Sequence, residues 1–213
     1  MTKRVSNDAL EQRLRSTTGE SEEDVDLLTA RLAERAAEDG LLDVAYATAD
    51  TPVGPVLVAG TPRGLVRVTF PQERRDDVLD ELARNVSPRI LESPAQLDDV
   101  RRELDEYFEG RRREFDLPLD WRLSHGFRRD ALRALVDVPY GETVTYSELA
   151  TSAGSPRAHR AAGSACGSNP IPIVVPCHRV VRTGGGLGGY GGGLEVKEYL
   201  LELEGSLGDV STG

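Results

Sequence analysis

The chain has 213 residues, with 26 Lys and Arg against 36 Asp and Glu and a net charge of −10. That length suits one large domain or two small ones, and a hydrophobic share of 38% is that of a globular protein. The acidic total argues against a general basic nucleic-acid coat, no apolar run approaches the ~20 residues of a membrane span, and two cysteines, Cys166 and Cys177, cannot make a disulfide framework.

The N-terminus, MTKRVSNDALEQRL, lacks the apolar core of a signal peptide. The expectation is a cytoplasmic protein with reduced thiols. Residues 1–40 read as an acidic helical extension. Ser21 and Asp24 stand like a capping box ahead of Val25, Leu28, Leu32 and Ala36, which fall near helical spacing, and Gly40 is a stop. Such a helix docks on the main body or offers its apolar stripe to a partner; both readings are open.

From Leu41 the period changes to that of strands. LLDVAYATA, PVLVAG and GLVRVTF are short β-rich runs. They are separated by Thr51-Pro52-Val53-Gly54 and Thr61-Pro62-Arg63-Gly64, both turn chemistry. A three-stranded antiparallel meander follows. A helix is predicted over 73–84 with Val78, Leu79 and Leu82 on one side, then a short strand at 89–92. A second helix runs over 94–108, with Leu97, Val100, Leu104 and Tyr107 at helical spacing, and ends at Gly110. Residues 41–115 thus form an α+β domain without a catalytic cluster.

After the linker RRREFDLPLDWRLS, residues 122–205 read as mostly helical, with 206–213 as a tail. Phe127 to Val136 is amphipathic, and Val138-Pro139-Tyr140-Gly141 breaks it. A short helix begins at Thr145-Tyr146. Gly154-Ser155-Pro156 is a turn, with Pro156 placed as the first residue of a helix reaching Ser168. Two short helices joined by a glycine-containing turn carry the helix-turn-helix signature. The second, PRAHRAAGSACGS, is rich in small residues and projects Arg157, His159 and Arg160. It either approaches a nucleic acid closely or packs tightly on a neighbour. Charge bears on the choice: residues 1–50 hold six basic and twelve acidic side chains, whereas 122–182 hold eight arginines and four acids. A locally basic half inside an acidic protein permits a nucleic-acid partner.

The chemistry concentrates in NPIPIVVPCHRVVRTGGGLGGY, residues 169–190. Ile171, Ile173, Val174 and Val175 lead into Cys177, and Pro176 keeps the preceding residue extended, so a strand is expected to end at the thiol. His178 follows directly. Along a strand neighbouring side chains point to opposite faces, so either the backbone leaves the strand at Pro176 or a water links the pair. Two cysteines and His125, His159 and His178 lack the paired spacing of a zinc site, and no metal is expected. Gly184, Gly186 and Gly189 fit G-x-G-x-x-G, but no second strand follows to complete a dinucleotide unit. The loop reads as backbone that approaches a ligand. Leu194 to Glu204 is a helix, and a carboxylate in its last turn opposes the helix dipole. That suggests another use for Glu204, such as orienting His178.

Asn169-Pro170-Ile171-Pro172-Ile173, Pro176-Cys177-His178-Arg179-Val180, the glycine loop through Tyr190 and the helix ending at Glu204 together resemble the methylated-DNA–protein-cysteine methyltransferases, the O6-alkylguanine-DNA alkyltransferases. The turn at 51–55, the run Tyr-Gly-Glu-Thr-Val-Thr-Tyr at 140–146 and the helix-turn-helix are similar too, and the likeness covers about 41–205. It implies a ribonuclease H-like N-terminal domain and a helical, winged-helix-like C-terminal domain. It implies irreversible, cofactor-free repair of O6-alkylguanine in double-stranded DNA by a monomer, with O4-alkylthymine as a further substrate. By matching position, Cys177 accepts the alkyl group, His178 takes the thiol proton through a water, Glu204 orients the imidazole, and Asn169 holds the network. Tyr146 donates to the guanine ring, and Arg160 fills the stack once the nucleotide flips. Arg157, Ala158, Ala161, Ala162 and Gly163 complete the DNA surface with Tyr146. Val180, Tyr190, Gly191, Gly192 and Lys197 make the base pocket, with the carbonyls of Cys177 and Val180 reading the guanine amino group. Gly191 departs from a serine in some members, which leaves space for larger alkyl groups, and His159 replaces what is often alanine. Two other readings of the residues are a thiol hydrolase using Cys177 and His178, and a non-catalytic binder of alkylated bases.

Overall fold

The computed structural model describes residues 22–209. Ser21, half of the expected capping box, lies outside them. Helix α1 (Glu22–Glu38) ends at Gly40, which has φ +66°. It rests near strand β4 through Ala33, which is buried, while Leu27, Leu28 and Leu32 are exposed. The helix therefore docks by its alanines and leaves the leucine stripe outward.

Strands β1 (Val44–Ala49), β2 (Val56–Thr61) and β3 (Gly64–Thr69) form the antiparallel meander, with Ala47 opposite Val58 and Val58 opposite Val68. The short strand β4 (Ile90–Glu92) adds a fourth member parallel to β1, giving the order β3-β2-β1-β4. Alternation along the strands sends side chains to two faces. Val44, Leu57, Ala59 and Val66 pack with Val78 and Leu82 of α2 (Arg75–Asn85). Ala47, Val56, Val58, Leu65 and Val68 pack on the other face with Leu97 and α3 (Asp98–Phe108). The expected helix over 94–108 is a 3-10 turn, Pro94–Leu97, followed by α3.

The outer edge of β3 is covered by the rest of the chain. Leu65 N donates to Pro118 O and Asp120 N to Leu65 O, each at 2.8 Å, and Val68 N donates to Pro170 O at 2.8 Å. Covering an edge strand removes a site of unwanted pairing; here it also fixes the segment just ahead of Cys177 to the sheet. The linker passes so close that a Cβ on Gly64 would lie 2.1 Å from Pro118 O. Only glycine fits there.

In the second half α4 (Gly126–Val136), α5 (Tyr146–Ser152) and α6 (His159–Gly167) pack together as the helix-turn-helix. Thr145 and Glu148 form a complete capping box at the start of α5, worth about 1 kcal/mol. The third helix does not begin at Pro156. Ala158 N donates to Ser155 O at 2.8 Å, so Pro156 and Arg157 occupy a turn, and α6 starts two residues after Arg157. Strands β5 (Val144–Thr145) and β6 (Val180–Val181) pair in parallel, setting Tyr146 beside the turn that carries Cys177. Helix α7 (Leu194–Leu203) closes the fold, followed by buried Ser206 and a 3-10 turn at Leu207–Asp209. One apolar core runs from the sheet through Leu104 and Tyr107 to Leu132, Leu135, Ile171, Val175 and Cys177. Each fully buried leucine in it contributes roughly 1.5–3 kcal/mol, so the two halves are joined by packing as well as by the linker. Among the described residues no helix is long and apolar enough to cross a membrane.

Candidate active site

Residues 170–176 are a compact turn rather than the expected strand. Pro170, Pro172 and Pro176 have no N–H to give to a ladder. Asn169 supplies the missing bonds: its Oδ1 accepts from Ile171 N at 3.0 Å and its Nδ2 donates to Val175 O at 2.8 Å. Val175 N reaches back to Ile171 O at 2.9 Å, and Ile173 is forced to φ +73°, a left-handed conformation costing of order 1–3 kcal/mol for a β-branched residue. Pro176 (φ −81°, ψ 62°) then makes an inverse γ-turn, with Cys177 N donating to Val175 O at 2.8 Å. Cys177, His178 and Arg179 follow as one 3-10 turn. In that geometry successive side chains diverge by about a third of a turn. The thiol faces a cleft, and the imidazole and guanidinium face Glu204.

Cys177 Sγ lies 3.1 Å from Asn169 Nδ2, and the residue is 3% exposed. Burial pushes the thiol up to about 11, only partly opposed by the Asn169 donor and the charge of Lys197. At neutral pH it is a thiol, and its use as a nucleophile requires a proton acceptor. His178 is fully buried, with Nε2 2.8 Å from Glu204 Oε1, while Nδ1 has no protein partner. Burial drives its pKa down, although Glu204 pulls the other way. An ionised carboxylate only accepts, so Nε2 carries the hydrogen and Nδ1 keeps a free lone pair. The ring is thus a neutral base with a fixed tautomer.

Glu204 caps the C-terminus of α7. Its Oε1 accepts from His178 Nε2, from Arg179 Nη2 at 2.9 Å and from Tyr107 Oη at 2.7 Å. Its Oε2 accepts from Arg179 Nε at 2.9 Å and Gly141 N at 3.3 Å. Burial alone would raise the carboxyl, but the bonds from His178 and Arg179 overcome it and hold it at about 2. Arg179, whose Nη1 also donates to Val138 O at 2.5 Å, offsets the unfavourable helix-end position of the carboxylate.

Tyr146 begins α5, near the thiols of Cys166 and Cys177. A Cβ on Gly163 would sit 3.8 Å from its ring, and one on Gly188, which has φ +72°, only 2.7 Å from its hydroxyl. The tyrosine therefore lies between α6 and the glycine loop; a Cβ at position 163 would make an ordinary contact with it, whereas position 188 has room only for glycine. Burial raises its phenol, reinforced by the thiols Cys166 and Cys177. Tyr190 packs edge-on to Phe70 and His178, with centroids 5.5 and 6.3 Å apart. Gln72 Nε2 donates to Gly191 O at 2.8 Å, and Phe70 leaves a Gly192 Cβ only 3.0 Å. Lys197 is fully buried and donates Nζ to Val180 O at 2.5 Å and to Leu187 O; burial lowers its pKa to about 8. It ties β6 to the glycine loop. The carbonyls of Cys177 and Val180 each carry one bond, from Val180 N and Lys197, and each keeps a second lone pair. Cys177, Asn169, Pro172 and Gly191 line a cavity of 360 Å³ that continues to Phe70 and Arg67 on the sheet side.

The structure separates the residues expected at the DNA surface. Arg157, His159, Arg160 and Ala161 are exposed, Ala158 and Gly163 are half-buried, and Ala162 is fully buried against the core. Ala162 therefore serves packing, and Arg157 and Ala158 precede the helix. Among the described residues the guanidinium groups of Arg157 and Arg160 have no hydrogen-bond or ion-pair partner. Two residues of the buried cluster were not singled out in the sequence. Arg179 was read only as part of a motif, and Tyr107 only as one of an apolar stripe. A tyrosine at a core position was the available signal, since a buried phenol needs a partner.

A buried thiol, imidazole and carboxylate set beside an exposed helix-turn-helix define a cysteine-centred protein of two halves, the first built on a sheet and the second helical. The family model described as the ribonuclease-like domain of 6-O-methylguanine DNA methyltransferase matches residues 44–121, and that of its DNA binding domain matches 126–206. The chain belongs to the methylated-DNA–protein-cysteine methyltransferase family. Its relatives of that name include one from Methanosarcina barkeri, 39% identical over 75% of this chain and 96% of the relative, and one from Methanosarcina acetivorans, 41% identical over 76% and 98%. Among solved structures, OGT of Mycobacterium tuberculosis in complex with DNA superposes with a TM-score of 0.67 at 38% identity, covering 76% of this chain and 94% of that one.

Proposed function

We propose that this protein repairs DNA by moving the alkyl group of O6-alkylguanine onto Cys177, once per molecule and without a cofactor. The observation that carries the reading is the chain Asn169–Cys177 and His178–Glu204, buried at the foot of a cleft that opens beside α6. The lesion lies on a base edge within the duplex, so the nucleotide must leave the stack to meet a thiol this deep. Arg160, exposed on the small-residue helix, fills the gap, and Arg157 contacts the backbone. Tyr146 donates to the purine ring, Tyr190, Gly191 and Gly192 wall the base, and the free lone pairs of the Cys177 and Val180 carbonyls accept its amino group. The same reach admits O4-alkylthymine.

The thiol proton passes through a water to His178 Nδ1, and Glu204 stabilises the imidazolium that results. The sulfur attacks the alkyl carbon, an S–C bond forms as the C–O6 bond breaks, and the proton ends on the released guanine. The product is a thioether, which water does not cleave, so the protein is consumed. Incubation with a duplex containing O6-methylguanine tests this: the Cys177 peptide should gain the mass of one CH₂ as the lesion disappears in equal amount. Folded protein with an unmodified Cys177 and an intact lesion overturns it. Repeated turnover of an ester without DNA would instead support a thiol hydrolase.

A further inference from the structure

We infer that Tyr107, supplied by α3 of the sheet-containing half, is a positioning residue for the proton relay, setting the basicity of His178 through the oxygen of Glu204 that they share. The inference rests on the alkyl-transfer reading. Tyr107 is fully buried, and its hydroxyl donates to Glu204 Oε1 at 2.7 Å, the same atom that binds His178 Nε2 at 2.8 Å. The two residues are 97 positions apart in sequence, and the contact crosses from one half of the chain to the other.

A tyrosine need not be here for packing alone. The ring already meets Phe108, Phe115 and Tyr140 at 5.4, 5.3 and 6.2 Å, contacts that phenylalanine would also make. Only the hydroxyl touches the relay. When His178 takes a proton, Oε1 is the counter-charge it faces, and each further donor on that oxygen weakens it. Tyr107 therefore limits how strongly Glu204 draws a proton onto the imidazole. It also means that the relay is complete only when the sheet-containing half is seated. The groups facing the His178–Glu204 pair are Tyr107 from α3, Tyr140 and the Gly141 N–H from the α4–β5 connection, Arg179 beside it, Cys177 and Tyr190 on the cleft side, and Lys197 from α7. Arg113 lies over the Tyr140 ring, 5.5 Å from its centroid. Of these, Lys197 and Cys177 titrate on the alkaline side of neutrality, which leaves the acid limb of the rate profile to His178.

The experiment is the single-turnover rate of methyl transfer from an O6-methylguanine duplex between pH 5 and 9, a range spanning the ordinary histidine value by about two units, for the full chain and for Tyr107→Phe. Loss of the donor makes the imidazole the stronger base, so the acid limb should rise by about half a unit or more with no fall in the plateau above it. Leu104→Val, buried on the same helix without a polar contact, is the stability control and should leave the limb in place. If Tyr107→Phe does not fold, 3-fluorotyrosine at position 107 keeps the ring and strengthens the donor, and should move the limb the opposite way. An unmoved limb in the variant that folds overturns the inference, as does an equal shift in Leu104→Val. The ring-nitrogen chemical shifts of His178 over the same pH range separate the two claims. A titration that moves in a protein inert on the lesion defeats alkyl transfer and keeps the coupling; transfer with an unmoved titration does the reverse.

Discussion

The surroundings of Glu204 and the outer face of α6 are built on opposite rules. Glu204 is buried, and its two oxygens take five hydrogen bonds from Tyr107, Gly141, His178 and Arg179. Arg157 and Arg160 are exposed and bind nothing among the described residues. A buried charge must be satisfied by the fold itself, so that region is rigid and intolerant. An exposed guanidinium left free is available to a phosphate or a base stack, and removing it costs the fold little. On the proposed function, proton management and DNA engagement fall to separate regions, with Cys177 between them.

Breaking the buried side should give the largest effects. Cys177→Ala should abolish transfer while leaving binding to lesion duplex within about twofold, measured by peptide mass and by fluorescence anisotropy; surviving transfer would place the acceptor elsewhere. Glu204→Gln, which leaves Arg179 buried without its counter-charge, should lower stability by about 3–5 kcal/mol in urea unfolding and slow transfer by about a hundredfold or more.

The pH dependence of stability follows from the same cluster. Glu204 is held at about 2, below its ordinary 4.5, so its contribution, roughly 3 kcal/mol, is full above about pH 4.5 and is lost as pH falls towards 2. His178 is held below its ordinary 6.5 by burial; the folded state resists its protonation, and stability also declines as pH falls below that value. Cys177 is raised from 9.0 to about 11, so its contribution is lost as pH rises through that window, while Lys197, lowered from 10.5 to about 8, acts in the opposite sense between those two values. Thermal unfolding should show a decline in stability on the acid side of neutrality, and Glu204→Gln should flatten its steepest part.

The exposed side should respond differently. Arg160→Ala should weaken transfer to duplex lesions by about tenfold, with stability unchanged within about 0.5 kcal/mol. Its effect should vanish on an O6-alkylguanine free base, where no stack needs filling. Arg157→Ala should give the smallest effect, a few-fold loss of duplex affinity with a reduced salt slope. A large stability loss in either variant would erase the contrast between the two regions.

The meander was legible because three short β-branched, apolar runs are separated by turns carrying proline and glycine. β4 was legible only as a short candidate, since three residues carry too little pattern to fix pairing, and its parallel place beside β1 depends on where α2 returns the chain. Ile171 to Val175 misled because apolar β-branched residues suit a strand, whereas three prolines and the Asn169 side chain impose a turn. Pro156 suits a first helical turn by its own φ, but the Ser155–Ala158 turn delays the helix.

The sequence by itself determined most of the elements, the motif around Cys177 and the family likeness, because these depend on local periodicity and on residues close together in the chain. The tertiary structure alone decided that Tyr107 joins Glu204, that Ala162 packs inward while Arg160 stays free, and that β3 holds the segment ahead of the thiol through Val68 and Pro170. Those relations need the two halves to be docked, and docking is set by burial of a shared core that no single stretch of sequence contains.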